Sequence, residues 1–187
     1  MTKMSKFKTT FFFPTVSLAI AMGPTHLHAA GSHSYGHGHG TKMAIGEPGK
    51  FSDATRTIEI KMFDNYYEPK EISVNSGETV RFVVINVGEF VHEFNIATTE
   101  MHAAHQIEMI MMVESGALEI DKINYAMMKM DMGGGKTMEH NDPNSILLEP
   151  GKSGEVIWKF TKASALEFAC NVPGHYDSGM MGQVRFK

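Results

Sequence analysis

The chain has 187 residues, 42% of them hydrophobic and 20% charged, which fits one globular domain with a real core. Its formal net charge of -4 and the lack of a polybasic run argue against nucleic acid or lipid headgroups as partners. A single cysteine excludes an intramolecular disulfide.

The first 29 residues have the pattern of a secretory signal peptide. Lys3, Lys6 and Lys8 precede an apolar run over residues 11–22, which is too short to span a membrane. Cleavage after Ala29 fits the small-residue rule best, and the alternative is a membrane anchor. We therefore expect a periplasmic protein with no membrane insertion after cleavage, whose thiol needs burial or metal for protection in an oxidising compartment.

Residues 30–55 are predicted to form a flexible, His-rich tail. The segment carries so little apolar surface that burial cannot offset the entropy cost of ordering it. His33, His37 and His39 are spaced for loose chelation of Cu(II) or Zn(II), and we take them as candidate accessory metal ligands. The alternative is that these histidines only solvate the terminus.

A sandwich of short strands is predicted from residue 56 onward. Ile58, Ile60 and Met62 alternate with polar residues, as in a half-buried strand. Gly, Pro and Asn turns separate it from further strand-like segments, at residues 72–74, 79–85 and 91–96. The segment 79–85 is almost continuously apolar, which indicates a central strand, and His92 lies in the segment after it.

Residues 98–140 break the strand pattern and contain nine of the sixteen methionines. Thr98 or Thr99 can cap a helix over residues 101–114, which Gly116 would end. At about 100° per residue, this helix has two distinct faces. We predict that the apolar face docks on the domain: Ala103, Ala104, Ile107, Ile110 and Met111.

The opposite face of the predicted helix gathers soft metal donors. Its members are the candidate ligands of an accessory copper site: Met101, His102, His105, Met109 and Met112. Methionine is also a flexible core filler, so packing is the alternative interpretation. A second, mobile cluster follows, whose ligands cannot be assigned from spacing: Met127, Met128, Met130, Met132, Met138 and His140.

The C-terminal part returns to strands and ends in a loop with three potential metal donors. Strands are predicted around residues 156–160, 166–170 and 184–186, and the second of them delivers the only thiol. Cys170, His175 and Met180 follow one another at steps of five residues. Thiolate and thioether favour a soft, redox-active ion, and imidazole suits copper. Zinc is the rival ion, but structural zinc sites usually have four strong Cys or His ligands.

These segments resemble the cupredoxins, the family of plastocyanin and azurin. The Asn86-x-Gly88 segment with His92 resembles the family's first ligand strand, and Cys170-x4-His175-x4-Met180 resembles its ligand loop. The resemblance covers roughly residues 56 to 187. It implies an all-β, Greek-key β-sandwich with a helical insertion, and one type 1 copper.

The same resemblance implies that His92, Cys170 and His175 hold the copper and that Met180 is the axial ligand. Met181 is the competing axial candidate, but the family pattern of Met, one residue, then Gly selects Met180. The rigid loop would accept both Cu(I) and Cu(II), with His175 as the edge facing solvent. The sequence departs from much of the family at Glu93, where Asn commonly follows the first ligand His, and at the long insertion.

Two functions fit this site. The first is a copper-tolerance protein that binds excess copper, and the second is a soluble one-electron carrier with a redox protein partner. The His tail and the Met-rich insertion favour the first, because a carrier needs no spare ligands. A copper oxidase is disfavoured: His-x-His pairs occur only at His26 and His28 and at His37 and His39. A binuclear copper centre would also need a second cysteine. We therefore expect a copper-binding protein rather than an enzyme.

Overall fold

The computed structural model describes residues 45–131, 137–139, 142–161 and 165–187. The strands of this part, in chain order, are β1 Glu47–Pro48, β2 Arg56–Phe63, β3 Tyr66–Glu68, β4 Glu71–Val74, β5 Thr79–Asn86, β6 His92–Ala97, β7 Lys129–Asp131, β8 Thr137–Glu139, β9 Ser145–Leu148, β10 Ser153–Lys159, β11 Leu166–Ala169 and β12 Met181–Phe186. The α-helix is α1 Thr99–Glu114, and short 3-10 helices span Phe51–Asp53 and Tyr125–Met127.

The strands form two five-stranded sheets and one small hairpin. The first sheet has the order β1-β10-β5-β2-β3, and the second has the order β4-β12-β11-β6-β9. Within them β2 pairs with β5 in parallel and β12 pairs with β4 in parallel, whereas the other pairs are antiparallel. The predicted Greek-key β-sandwich with a helical insertion is confirmed.

The inward faces of the two sheets share one core. Phe82 and Trp158 come from the first sheet, Phe94 and Phe168 come from the second, and all four side chains are fully buried. Each of these residues belongs to the alternate positions of its strand that face inward, as the period-two pattern of a half-buried sheet requires. Cys170 and Met180 belong to the same core cluster, so two of the predicted ligands are part of the core.

The domain begins earlier in the chain than the sequence indicated. Residues 45–55 were predicted as part of a flexible tail, but Ile45 is fully buried and its carbonyl accepts a hydrogen bond from Trp158 Nε1 at 3.1 Å. The adjacent β1 pairs with β10. Gly46 has φ 131°, and a Cβ at this position would lie 2.4 Å from the carbonyl oxygen of Lys159. Composition alone missed this boundary, because one buried Ile and backbone pairing order the segment.

Helix α1 ends at the predicted residue and begins two residues earlier than predicted, but it packs with the opposite face. Thr98 caps it, accepting from the Met101 N–H at 3.4 Å, and Gly116 follows its end with φ 75°. The predicted docking face is wrong, because Ile107 is 62% exposed and Ile110 is 46% exposed. The buried residues of α1 are instead four of the five soft donors: His102, His105, Met109 and Met112. Both histidines find polar partners on the surface of the domain. Helix α1 therefore packs against the domain with the face that carries them.

The rest of the insertion is described only in part. Met109, Met112 and Leu118 form a second small core cluster with Val91, and Met128 packs against it. β7 and β8 pair as a hairpin, whereas Met132 and His140 lie outside the described residues. The predicted mobility of this Met cluster stays a prediction. No helix in the described part of the chain is both long and apolar enough to cross a membrane.

Candidate metal centre

Three of the predicted ligands meet where β6 begins and β11 ends. His92 is the first residue of β6, Cys170 directly follows β11, and His175 lies in the next loop. Cys170 Sγ is 3.3 Å from His175 Nδ1 and 3.9 Å from His92 Nδ1, and the two Nδ1 atoms are 3.2 Å apart. Within the described ranges, this is the one group of three or more His, Cys, Asp or Glu side chains whose donor atoms could hold a metal ion.

The ligand loop is tied to itself by backbone hydrogen bonds. The Cys170 N–H donates to the Met180 carbonyl at 3.1 Å, and the Met180 N–H donates to the His175 carbonyl at 3.0 Å. Met180 is fully buried beside the core, whereas Met181 is half-buried and begins β12. Burial therefore places Met180, rather than Met181, in the same apolar environment as Cys170.

Two backbone N–H groups stabilise negative charge on the sulfur. The Glu93 N–H donates to Cys170 Sγ at 3.3 Å, and the Val172 N–H provides a second hydrogen bond. Pro173, the next residue, has no N–H to add. Donors of this kind tune the electronic properties of a metal-bound thiolate.

Asp64 orients His92, a role that the sequence did not predict. His92 Nε2 lies 2.9 Å from Asp64 Oδ1, so the ring donates its Nε2–H and leaves Nδ1 free as the metal donor. Asp64 also accepts from the Glu89 N–H at 3.0 Å. A Cβ on Gly88 would lie 2.3 Å from Asp64 Oδ1 and 2.8 Å from His92 Nε2, so this close approach needs glycine. No local sequence pattern marks the pair, because the two residues are 28 positions apart.

All three ligand side chains are neutral near pH 7. Burial raises the pKa of the Cys170 thiol to about 12. Burial and the neighbouring His92 lower the pKa of His175 to about 4, and burial lowers the pKa of His92 despite its bond to Asp64. The imidazoles are thus ready to bind metal, whereas the thiol must first lose a proton.

His175 is the ligand nearest to solvent. Its side chain is half-buried, whereas those of His92 and Cys170 are fully buried. The Phe90 ring lies beside it, with ring centroids 6.5 Å apart. This position matches the predicted role of His175 as the edge of the site that faces solvent.

Among the described residues, the accessory candidates on α1 form no second group of three or more His, Cys, Asp or Glu donors. Both ring nitrogens of His105 are engaged, with Nε2 at 2.9 Å from Glu93 Oε1 and Nδ1 at 2.9 Å from Glu108 Oε2. His102 Nδ1 lies 3.2 Å from Asn171 Oδ1. Met109 and Met112 are fully buried, Met101 is half-buried, and His33, His37 and His39 lie outside the described residues. Accessory copper binding stays a prediction, and on α1 it would require His105 to leave its carboxylates.

Comparison with known proteins relates about three quarters of the chain to copper proteins. The cupredoxin-like domain family matches residues 40–123. The copper-resistant cuproprotein CopI of Pseudomonas aeruginosa is 48% identical over 147 residues, covering 75% of this chain and 81% of that protein. CopI of Rubrivivax gelatinosus is 39% identical over 140 residues, covering 74% of this chain and 71% of that protein.

A solved structure agrees on the fold. The dithionite-reduced auracyanin of Roseiflexus castenholzii superposes with a TM-score of 0.51 at 22% identity, covering 72% of this chain and 98% of that chain. At this identity the likeness supports the sandwich architecture alone.

Proposed function

Because this chain belongs to the cupredoxin family, within the group of copper-resistant cuproproteins represented by CopI, we propose that it is an exported type 1 copper protein that binds excess copper. The observation that carries the proposal is the convergence of Cys170, His92 and His175, whose donor atoms all lie within 4.8 Å of one another. We propose binding and buffering of copper rather than catalysis.

The side chains present fit copper. Cys170 would supply a thiolate, His92 and His175 would supply Nδ1 atoms, and Met180 would supply a thioether as the axial ligand. This set of two imidazoles, one thiolate and a weak axial thioether is the usual donor set of blue-copper sites. Copper bound there would supply reversible one-electron chemistry between Cu(I) and Cu(II).

The protein's own residues prepare the site for either oxidation state. Asp64 keeps His92 in the tautomer with Nδ1 free, and the Glu93 N–H helps to hold the thiolate. The backbone bonds of the Met180 carbonyl and N–H close the loop around His175. Burial of Cys170 excludes water and oxidants from the sulfur, which an exported protein with one thiol requires.

We further propose that additional copper is captured outside this site. The tail histidines His33, His37 and His39 are the first candidates, because they are spaced for loose chelation of metal ions. The helix donors Met101, His102, His105, Met109 and Met112 are the second candidates. A copper-tolerance role favours such spare ligands, whereas one resident copper is sufficient for electron transfer.

Copper stoichiometry and the visible spectrum of the mature protein test this function. We expect more than one copper per chain, falling towards one when the three tail histidines are replaced by Gln, with the colour retained. Cys170→Ala should abolish the thiolate-to-copper absorption, whereas the control Met181→Leu should keep it. Visible colour in Cys170→Ala would contradict the site.

A soluble one-electron carrier is the second candidate function. It is favoured by the half-buried His175 beside Phe90, which gives an electron a short path from the site to a redox protein partner. One coloured copper in both the wild type and the tail variant would favour this role over copper buffering.

Export is proposed from the first 29 residues. Mass spectrometry of the protein recovered from the periplasmic fraction should find a chain that starts at Ala30. A full-length chain in the membrane fraction would support the anchor instead.

A further inference from the structure

Glu93 is a fully buried carboxylate that is surrounded by hydrogen-bond donors. The groups that donate to its side chain come from four parts of the chain: His105 Nε2, Ser145 Oγ, Asn95 Nδ2, and the N–H and Nδ2 of Asn171. An Asn, with one acceptor oxygen and an NH2 group, could not serve all of them. Glu93, at the position where the family commonly has Asn, therefore supports a hydrogen-bond network that Asn could not form.

The two oxygens of this carboxylate face different parts of the protein. Oε1 is 2.9 Å from His105 Nε2 on α1 and 2.6 Å from Ser145 Oγ on β9. Oε2 is 2.8 Å from Asn171 Nδ2 and 3.3 Å from the Asn171 N–H. Since Asn171 directly follows Cys170, one carboxylate links the helical insertion to the ligand loop.

The backbone of Glu93 contacts the sulfur itself. Its N–H donates to Cys170 Sγ at 3.3 Å, and its carbonyl accepts from the Tyr67 hydroxyl at 2.5 Å. The residue is thus fixed on both sides. If Glu93 were displaced, the N–H that donates to the Cys170 sulfur would move. Asn171, the residue after Cys170, would move with it.

His105 supplies the charge that a buried carboxylate needs. Burial disfavours its cation, but the carboxylates of Glu93 and Glu108 raise the pKa of His105 to about 10. The imidazole is therefore protonated near neutral pH and donates from both nitrogens. A carboxylate buried without such a partner would be strongly destabilising.

His102, one turn earlier on α1, contacts the same loop residue. Its Nδ1 lies 3.2 Å from Asn171 Oδ1, while burial lowers its pKa. A neutral ring that donates from Nδ1 satisfies this amide oxygen. The Asn171 side chain is thus held through its Nδ2 by Glu93 and through its Oδ1 by α1.

We propose that Glu93, His105 and His102 form a polar clamp, through which the helical insertion fixes Asn171 and the Cys170 sulfur. The effect on copper rests on the proposed function, whereas the clamp on Asn171 exists without metal. The three act as positioning residues, because none of them is a proposed ligand of the main site.

Amide hydrogen exchange of the metal-free protein tests the clamp. The Asn171 N–H donates to Glu93 Oε2, so it should exchange about tenfold faster in Glu93→Gln, as expected when one such bond is weakened. It should also exchange faster in His105→Gln, because the Glu93 side chain loses a partner that holds it in place. The Val87 N–H, which donates to the Met62 carbonyl in the first sheet, should be unchanged. Glu108→Gln is the matched control, because it removes the partly exposed partner of His105 and leaves Glu93 in place. Unchanged exchange at Asn171, or an equal rise at Val87, would overturn the clamp.

The reduction potential of the copper-loaded protein tests the link to the sulfur. Because Glu93 places its N–H on Cys170 Sγ, the potential should shift from the wild-type value in Glu93→Gln, in His105→Gln and in the double variant, which should also exchange Asn171 rapidly. Glu108→Gln should leave the potential unchanged. A wild-type potential in the double variant would overturn the link between the clamp and the sulfur.

The two experiments separate this inference from the proposed function. If the wild type, loaded with copper(II) sulfate, shows no coloured copper, the proposed site fails and exchange at Asn171 alone decides the clamp. If a single variant does not fold, the double variant provides the comparison: rapid Asn171 exchange supports the clamp, and wild-type exchange overturns it.

Discussion

Copper binding at the Cys170 site should release one proton per ion across the neutral range. The thiol is buried, with a pKa of about 12, and His175 has a pKa of about 4. Burial also lowers the pKa of His92. The apoprotein therefore carries a protonated sulfur and two neutral imidazoles, and only the sulfur loses a proton on binding.

The size of the effect follows from these pKa values. Five units below the thiol pKa, the thiolate fraction is on the order of one in 100,000, so each bound ion displaces close to one full proton. Copper affinity should then rise about tenfold per pH unit, or about 1.4 kcal/mol. Because the thiol pKa is near 12 rather than near its usual value of 9.0, the rise should continue beyond pH 9.

Competition with a chromophoric Cu(I) chelator, at half-unit steps from pH 6 to 9.5, measures this slope. The three tail histidines are first replaced by Gln so that they bind no copper, and the pH dependence of the chelator is measured separately. Cys170→Ala is the control and should lose the slope. A slope that flattens near pH 8.5 would refute the burial argument, and a slope near two at pH 7 would show that an imidazole is protonated in the apoprotein.

Three other perturbations have distinct expected results. Met180→Leu should keep copper and raise the reduction potential, as measured by spectroelectrochemistry; if Met181→Leu does so instead, the axial assignment is wrong. Asp64→Ala should weaken copper binding about 10- to 100-fold in the same competition assay, because His92 loses the partner that orients it; unchanged affinity would show that the contact is dispensable. The pKa of His105 is raised from 6.5 to about 10 in the fold, so its stabilisation is complete below about pH 6.5 and is lost as pH rises through about 10. Urea unfolding of the apoprotein should show a loss on the order of 3–5 kcal/mol over this range relative to His105→Gln; equal pH dependence in both would contradict the ion pair.

The sandwich and the main donor group could be predicted because they follow from local patterns. Period-two alternation marks the strands, and the loop places Cys170, His175 and Met180 within eleven residues. The cap at Thr98 and the stop at Gly116 bounded the helix for the same reason. His92 is the one ligand of this group that lies in a distant segment of the sequence, and the cupredoxin sequence pattern identified it.

The errors concern contacts between distant residues. Hydrophobicity predicts that α1 buries Ile rather than His, but Glu93 and Asn171 supply partners that make buried histidines favourable. Asp64 was not recognised, because a carboxylate that orients an imidazole carries no local signature. The burial of Ile45 depends on an indole donor, Trp158, more than a hundred positions later.

Val172 couples the unfolding of the helical insertion to the unfolding of the sandwich. Its side chain packs against both the main core and the smaller cluster under α1. An insertion that shares such a residue with the sandwich cannot detach without uncovering apolar surface in both. We therefore expect a single cooperative melting transition, and no stable core that lacks the helix after limited proteolysis. The inserted helix is part of the folding unit of this domain. Its deletion should therefore also reduce the cooperativity with which the sandwich unfolds.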